Sequence, residues 1–435
     1  MRRFKILVVF TFSTMLLLFL LVLSGHKPVS KELDTANFID NEQFALRAEA
    51  SRIYKEQQQE LEVAISTYFS KALKAGDIVG AGVSIVKGDS ILFSSGFGNK
   101  NIDAKAKVNA ETVFRLGSLS KGFTGVLTAE LKNEGKLSWQ DRVSDYLPQF
   151  QLGSQSNTEE IKLSHILSHT SGTPYHSFTN LVEAGIPLEK IAGRFNEVTP
   201  ITKPGEMYSY QNAMFALTGE VTKKITGNDI GVSLEKRFFK PLGMCSASTD
   251  YETLISNKNV AVPHSKTRRG WRSKKLNDHY DNAIAAGGVN ASALDMAKWM
   301  RFLLGHNPEV LEKSALAEVF KPRVDINIGR KYYKRWPGHL ASYYGFGWRI
   351  HKFKDEITQK QQTIWHHGGS VNSFRNEIAV YPAADIGICV LLNSNSPIAR
   401  TVIPDLHKIV EAIYLKNQIN LAGTNLPETA VNTFE

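Results

Sequence analysis

Cysteine is almost missing from this chain: two occur in 435 residues, Cys245 and Cys389, far apart and both in apolar surroundings. That excludes a disulfide scaffold, and the lack of a CxxC pair excludes a cysteine-held metal or dithiol centre. The expectation is two buried free thiols. No HExxH pattern occurs. His165 and His169 lie four apart and His176 follows, but no acidic third ligand is in view, so a metallohydrolase on His165/His169 stands only as a remote alternative. There is no G-x-S-x-G elbow around Ser118 and no alternating βα pattern, which sets aside the α/β-hydrolase arrangement. Internal repeats and nucleic-acid motifs are absent too. Residues and motifs call for no cofactor.

Negative charge is also in short supply. Lys and Arg number 52 against 42 Asp and Glu, a net charge of +10. A modestly basic surface suits an anionic envelope or wall environment. The densest cationic stretch, residues 264–275, reads as a solvated loop.

What is present begins with a distinct first segment. Met1 to Lys5 is basic, and Ile6 to Leu23 then runs without a charge. The run is long for a secretory signal and about the minimum for a spanning helix, so residues 1–26 read as a signal peptide or a membrane anchor, leaning to the anchor. Either form exports the body, to the periplasm and with inner-membrane attachment if anchored. Residues 27–50 read as a polar linker and the start of a first helix, 51–416 as the catalytic body, and 417–435 as a loose polar tail.

Within the body, Leu61, Ile65, Tyr68 and Ala72 recur at helical steps. Val79 to Val86 and Ile91 to Phe97 flank Lys87-Gly88-Asp89-Ser90, a hairpin signature. Strand-like runs return only late, at Phe346 to His351, Gln362 to His366, Arg375 to Tyr381 and Ile386 to Leu392, with a last helix from about Ile398 to Leu415. Residues 137–281 are mostly helical in pattern. The fold class expected is α+β: an antiparallel sheet built from both chain ends, flanked by helices, with a helical lobe inserted and a cleft between them.

Three short patterns carry chemistry. Ser118-Leu119-Ser120-Lys121 opens a helical run, so the lysine projects beside the serine. A serine hydroxyl needs a base, and a buried lysine is pushed towards the neutral form that can act as one. Tyr210-Gln211-Asn212 offers a phenol for proton shuttling and an amide to orient substrate. Trp365-His366-His367-Gly368-Gly369 ends an apolar strand in glycines, where a substrate backbone can lie along the edge and the Gly369 N–H can join an oxyanion hole.

In that order, Ser118-xx-Lys121, Tyr210-x-Asn212 and His366-x-Gly368 resemble the SxxK, YxN and K/H-x-G motifs of class C β-lactamases and penicillin-binding-protein-like serine hydrolases. Flanking stretches agree, among them residues 114–117, 167–172, 241–244, 286–288 and 344–348, and the resemblance spans about Ile78 to Leu415. It implies an acyl-enzyme at Ser118, acid–base work shared by Lys121 and Tyr210, and substrate binding by Asn212, His366, Gly368 and Gly369. It implies a small-molecule or peptidoglycan-derived substrate: a β-lactam, a D-amino-acid peptide or an ester. A binder of the same fold without turnover is the alternative. The chain departs from the family at His366-His367, where lysine and a small hydroxyl residue are common. Histidine carries charge near neutrality only if its pKa is raised, so efficient β-lactam hydrolysis is disfavoured, and activity on carboxylate-bearing substrates is expected to fall as His366 deprotonates.

Overall fold

The computed structural model describes residues 29–326, 331–355 and 359–422. The apolar run Ile6–Leu23 and the end of the polar tail lie outside them. No helix among the described residues is long and apolar enough to cross a membrane. The chain divides into two compact units, of which the larger spans residues 58–415.

The first helix, α1 (Val29–Lys74), begins earlier than composition suggests. Polar residues 31–40 read as linker, yet no glycine or proline interrupts the chain between Pro28 and Gly76, and nothing there stops a helix. Its buried face within the larger unit is Leu61, Ile65, Phe69 and Ala72, not Tyr68. Phe69 stacks on Phe97 at 4.8 Å, while Tyr68 points aside and donates its hydroxyl to Asp405.

The main sheet has eight strands in the order β2-β1-β12-β11-β10-β9-β8-β7. These are β1 (Gly80–Lys87), β2 (Ser90–Gly98), β7 (Val324–Asp325), β8 (His339–Tyr344), β9 (Arg349–Lys354), β10 (Gln361–Val371), β11 (Phe374–Tyr381) and β12 (Ile386–Leu392). Every pairing is antiparallel, and β1, second from one edge, meets β12 through Ala81↔Leu392 to Lys87↔Ile386. Both chain ends therefore build one sheet, the α+β class expected. β12 is buried along its whole length, as its unbroken apolar run requires.

Three helices carry the rest of the site's framework: α2 (Ser120–Asn133), α3 (Asn212–Thr226) in the inserted lobe, and α4 (Ala293–Leu304). Ser292 caps α4, accepting from Asp295 N–H in a reciprocal capping box. Phe123 of α2 stacks on Trp299 of α4 at 4.1 Å within the shared hydrophobic core. A short antiparallel pair, β3 (Val113–Arg115) with β6 (Asn290–Ser292), fixes the entry to α2. The lobe is not purely helical. The cationic stretch read as a loop forms a hairpin, β4 (His264–Thr267) with β5 (Gly270–Ser273). Of the two thiols, only Cys389 is buried; Cys245 is exposed, and both are free.

Candidate active site

Ser118 stands in a tight 3-10 turn, Gly117–Leu119, that runs directly into α2. The turn is stitched in place from two sides. Ser120 Oγ donates to the Gly117 carbonyl and accepts from Val289 N–H, and Asn376 of β11 donates to the Arg115 and Leu116 carbonyls. Arg115, itself buried, donates to the His279 carbonyl and reaches Asp281, pinning the chain that returns from the lobe.

The first two patterns converge. Tyr210 OH lies 2.8 Å from Ser118 Oγ, and Lys121 Nζ lies 3.4 Å from it. Lys121 is fully buried, and its amine donates to Asn212 Oδ1 at 2.8 Å and to the Ala286 carbonyl at 2.7 Å. Burial, then the nearby charge of Arg349, drives the amine's pKa well below the usual lysine range. A neutral amine has two N–H bonds and one lone pair. Asn212 and Ala286 occupy the two N–H groups, which leaves the lone pair for the serine proton. Burial pushes the Tyr210 phenol up to about 12, so it stays protonated. Asn212 is held in turn, its amide donating to Tyr280 OH.

The third pattern arrives on β10. Its pairing to β9 ends at His366↔Arg349, while β11 continues alongside to Val371↔Phe374. The edge freed there lies against the serine turn. A Cβ on Gly117, whose φ is +58°, would come within 3.0 Å of Ser370 N, and one on Gly369 would meet the Leu116 carbonyl at 2.1 Å. Both must be glycine for strand and turn to approach so closely.

Strand alternation then overturns one expectation. His366 and His367 face opposite sides of the sheet. His366 is 0% exposed, with Nδ1 bonded to His351 and Nε2 to Glu377 at 2.8 Å. Gly368 lies over that same Glu377 and not over the serine. It is His367 that turns towards the cleft, with its ring 6.5 Å from that of Tyr210 and Nε2 bonded to Tyr344 OH. Burial drives both imidazoles well below the usual histidine range.

A family model described as Beta-lactamase matches residues 65–409. The chain belongs to the beta-lactamase family. Protein flp of Staphylococcus aureus is 27% identical over 340 residues, 76% of this chain; the chain spans 63% of that relative's length. Unguisins hydrolase ungD' of Aspergillus campestris is 26% identical over 330 residues, 73% of this chain and 59% of the relative. Among solved structures, an octameric penicillin-binding protein homologue from Pyrococcus abyssi aligns with TM-score 0.67 and 23% identity over 81% of this chain and 80% of that one. EstCE1, titled a hydrolase with promiscuous acyltransferase activity, aligns with TM-score 0.67 and 20% identity over 82% of this chain and 99% of that one.

For a beta-lactamase family member, the third motif fits better one residue on. His367-Gly368-Gly369 also reads H-x-G, and its first residue faces the cleft. The histidines behind the metal alternative have structural duties: His165 Nδ1 accepts from Lys162 N–H at a helix start, and His169, in a left-handed turn, accepts from Gln211 N–H.

Sequence patterns missed Arg349. It opens β9 half-buried opposite His366, its guanidinium 5.9 Å from the Tyr333 ring and its charge felt at both Lys121 and Glu377, and no carboxylate among the described residues lies within ion-pair reach. The signal was available: it follows Trp348 directly, in the stretch 344–348 already noted. Tyr280 was missed for want of any motif. A cavity of about 450 Å³ lies behind α3, lined among others by Leu188, Glu220, Ile230 and Ala285, and Ser118 is not on its wall.

Proposed function

We propose that this chain is a serine hydrolase that works through an acyl-enzyme on Ser118. The observation that carries the reading is the convergence on one half-exposed hydroxyl of a phenol at 2.8 Å and a buried amine at 3.4 Å. Ser118 Oγ attacks the acyl carbon while its proton passes to neutral Lys121. The carbonyl oxygen takes the developing charge, met by the Ser118 N–H and an N–H of the Gly369–Ser370 edge. Tyr210, kept protonated, gives its proton to the leaving atom as that bond breaks. Water then attacks the ester, giving its proton to the Tyr210 phenolate, and Lys121 returns its proton to Ser118 Oγ as that oxygen leaves, which restores all three groups. Asn212 holds Lys121 as well as facing substrate.

The charge of Arg349, which has no ion-pair partner among the described residues and is felt at Lys121, favours a substrate with an anionic group beside the scissile bond. That role replaces the one expected of His366, which is sealed behind the strand. Esters, β-lactams and D-amino-acid peptides all fit this chemistry. Export is part of the proposal and rests on the basic start and apolar run of residues 1–23; cell fractionation tests it.

The deciding experiment is a hydrolysis panel of nitrocefin, a D-Ala-D-Ala peptide and p-nitrophenyl esters, run with intact-mass analysis. An acyl adduct on Ser118 and turnover of at least one substrate are expected, with both lost in Ser118→Ala. Turnover that survives that substitution would falsify the reading. A stable adduct without turnover establishes the non-hydrolysing binder instead.

A further inference from the structure

Hairpin β4–β5 presents Lys266, Arg268, Arg269 and Arg272 to solvent, and exposed Lys274 and Lys275 follow at once. None of these six has a carboxylate within ion-pair reach among the described residues. The patch extends beyond the hairpin. Lys71 and Lys74 are exposed in the last turn of α1, and the Gly76 carbonyl just past it accepts from Lys266 Nζ at 3.1 Å and Trp271 Nε1 at 3.0 Å. The neighbouring carboxylates are Asp77, which follows the helix, and Asp103, which accepts from Ser273.

The hairpin is built into the fold at its root. His264 is buried, bonded through Nδ1 to the Asn393 carbonyl and through Nε2 to Ile102 N–H, and Lys274 N–H donates to the Pro263 carbonyl at 2.7 Å. That same root reaches the cleft rim. Lys274 Nζ lies 3.4 Å from Ser373 Oγ, and Asn372 donates to the Lys275 carbonyl at 3.1 Å. Asn372 and Ser373 form the turn between β10 and β11, two residues past the Ser370 that abuts the serine turn. Unpaired positive charge therefore runs from the end of α1 to the edge of the cleft.

We propose that this strip docks a linear polyanion and that the acyl group delivered to Ser118 is carried on such a polymer; the second half rests on the serine reading above. The charges are strung along extended chain, about 3.3 Å per residue, rather than gathered round a point, which matches repeated negative charge and not one small ion. A lipid surface asks for an apolar face to insert, but Trp271, the hairpin's one aromatic, is half-buried and tied to Gly76. A single-stranded nucleic acid asks for aromatic platforms, and the hairpin has none to spare. Attraction of this kind is screened by salt.

The test uses the full chain and two substrates, p-nitrophenyl acetate and poly-glutamate partly esterified with p-nitrophenol. The triple variant Arg268→Glu, Arg269→Glu, Arg272→Glu is expected to keep wild-type kcat/KM on the acetate and wild-type kcat on the polymer. Its KM for the polymer rises about tenfold or more, and raising salt lifts the wild-type KM in the same way. An unchanged polymer KM in the variant overturns the proposal. So does retention of the protein by phosphatidylglycerol vesicles with none by unesterified poly-glutamate. If the wild type cleaves neither ester, the serine reading is what failed. Binding of fluorescent poly-glutamate to Ser118→Ala, with and without the triple variant, then still decides the strip: equal binding sinks it, and loss in the variant upholds it.

Discussion

Two polar clusters stand on either side of β10, and they differ in one respect that matters. Behind the strand, His339, Ser342, His351, His366, Glu377 and Tyr332 form a continuous chain of hydrogen bonds, each link between 2.7 and 3.1 Å. In front of it, Lys121, Tyr210 and Asn212 surround Ser118. Both clusters are largely buried, and both hold strongly shifted groups: burial pushes Glu377 up to about 7, as it pushes Tyr210 to about 12. The rear chain, though, is closed, with every link spent on another protein group. The front cluster keeps a half-exposed hydroxyl, an amine lone pair and an unpaired strand edge. Perturbed titration marks both; open valence at a reachable atom separates a candidate site from a structural network.

The sharpest way to break that contrast is at the front. Ser118→Ala is expected to lower kcat/KM on any true substrate by about 10³-fold or more with its melting temperature unchanged. Lys121→Arg should fall nearly as far, because a guanidinium cannot take up the serine proton. A circular-dichroism melt beside the assay separates lost chemistry from lost fold. Tyr210→Phe removes only the proton donor, and a loss of about 10²-fold in kcat is expected.

The rear cluster should answer in the opposite currency. Glu377→Gln leaves His366 and Arg375 short of their carboxylate and is expected to cost about 1–3 kcal/mol in chemical denaturation while moving kcat on a neutral ester little. A collapse of kcat with stability intact would merge the two clusters and end the distinction. Arg349→Ala, between them, should raise KM for anionic esters and leave neutral ones alone.

The smallest and most diagnostic effect is the pH profile on a neutral ester. The working form of Lys121 is the neutral amine, so activity is present above its pKa and lost as pH falls through it. Because that pKa is depressed by burial, the acid limb lies well below the ordinary lysine range, and the rate then holds level until Tyr210 loses its proton near pH 12. An acid limb at the usual lysine value would mean the amine is not buried in the working enzyme.

How much of this was legible beforehand depends on the kind of signal. Ser118 and Lys121 are three apart on one helix, and Tyr210 and Asn212 two apart at the start of another, so local geometry alone brings each pair together. The late strands Arg375 to Tyr381 and Ile386 to Leu392 carry apolar runs too strong to miss. His366 against His367 was a different problem. A shift of one residue reverses the face of a strand, and which face meets the cleft is set by β9 and β11, far away in sequence. The polar residues at the start of helix α1 read as linker, yet polarity does not stop a helix as glycine or proline does. Tyr280 and the Ala286 carbonyl act through tertiary placement, and Arg349, although it directly follows the noted stretch 344–348, takes its role the same way.

The seam between β1 and β12 also governs when the fold around Ser118 can come into being. Ala81 waits for Leu392, far along the chain, before the β1–β2 hairpin can join the rest of the sheet. The turn bearing Ser118 leans on β10 and β11, so a nascent chain emerging from the ribosome cannot assemble a working centre part-way through synthesis. A product truncated before β10 and β11 carries the nucleophile without the strands that its turn leans on.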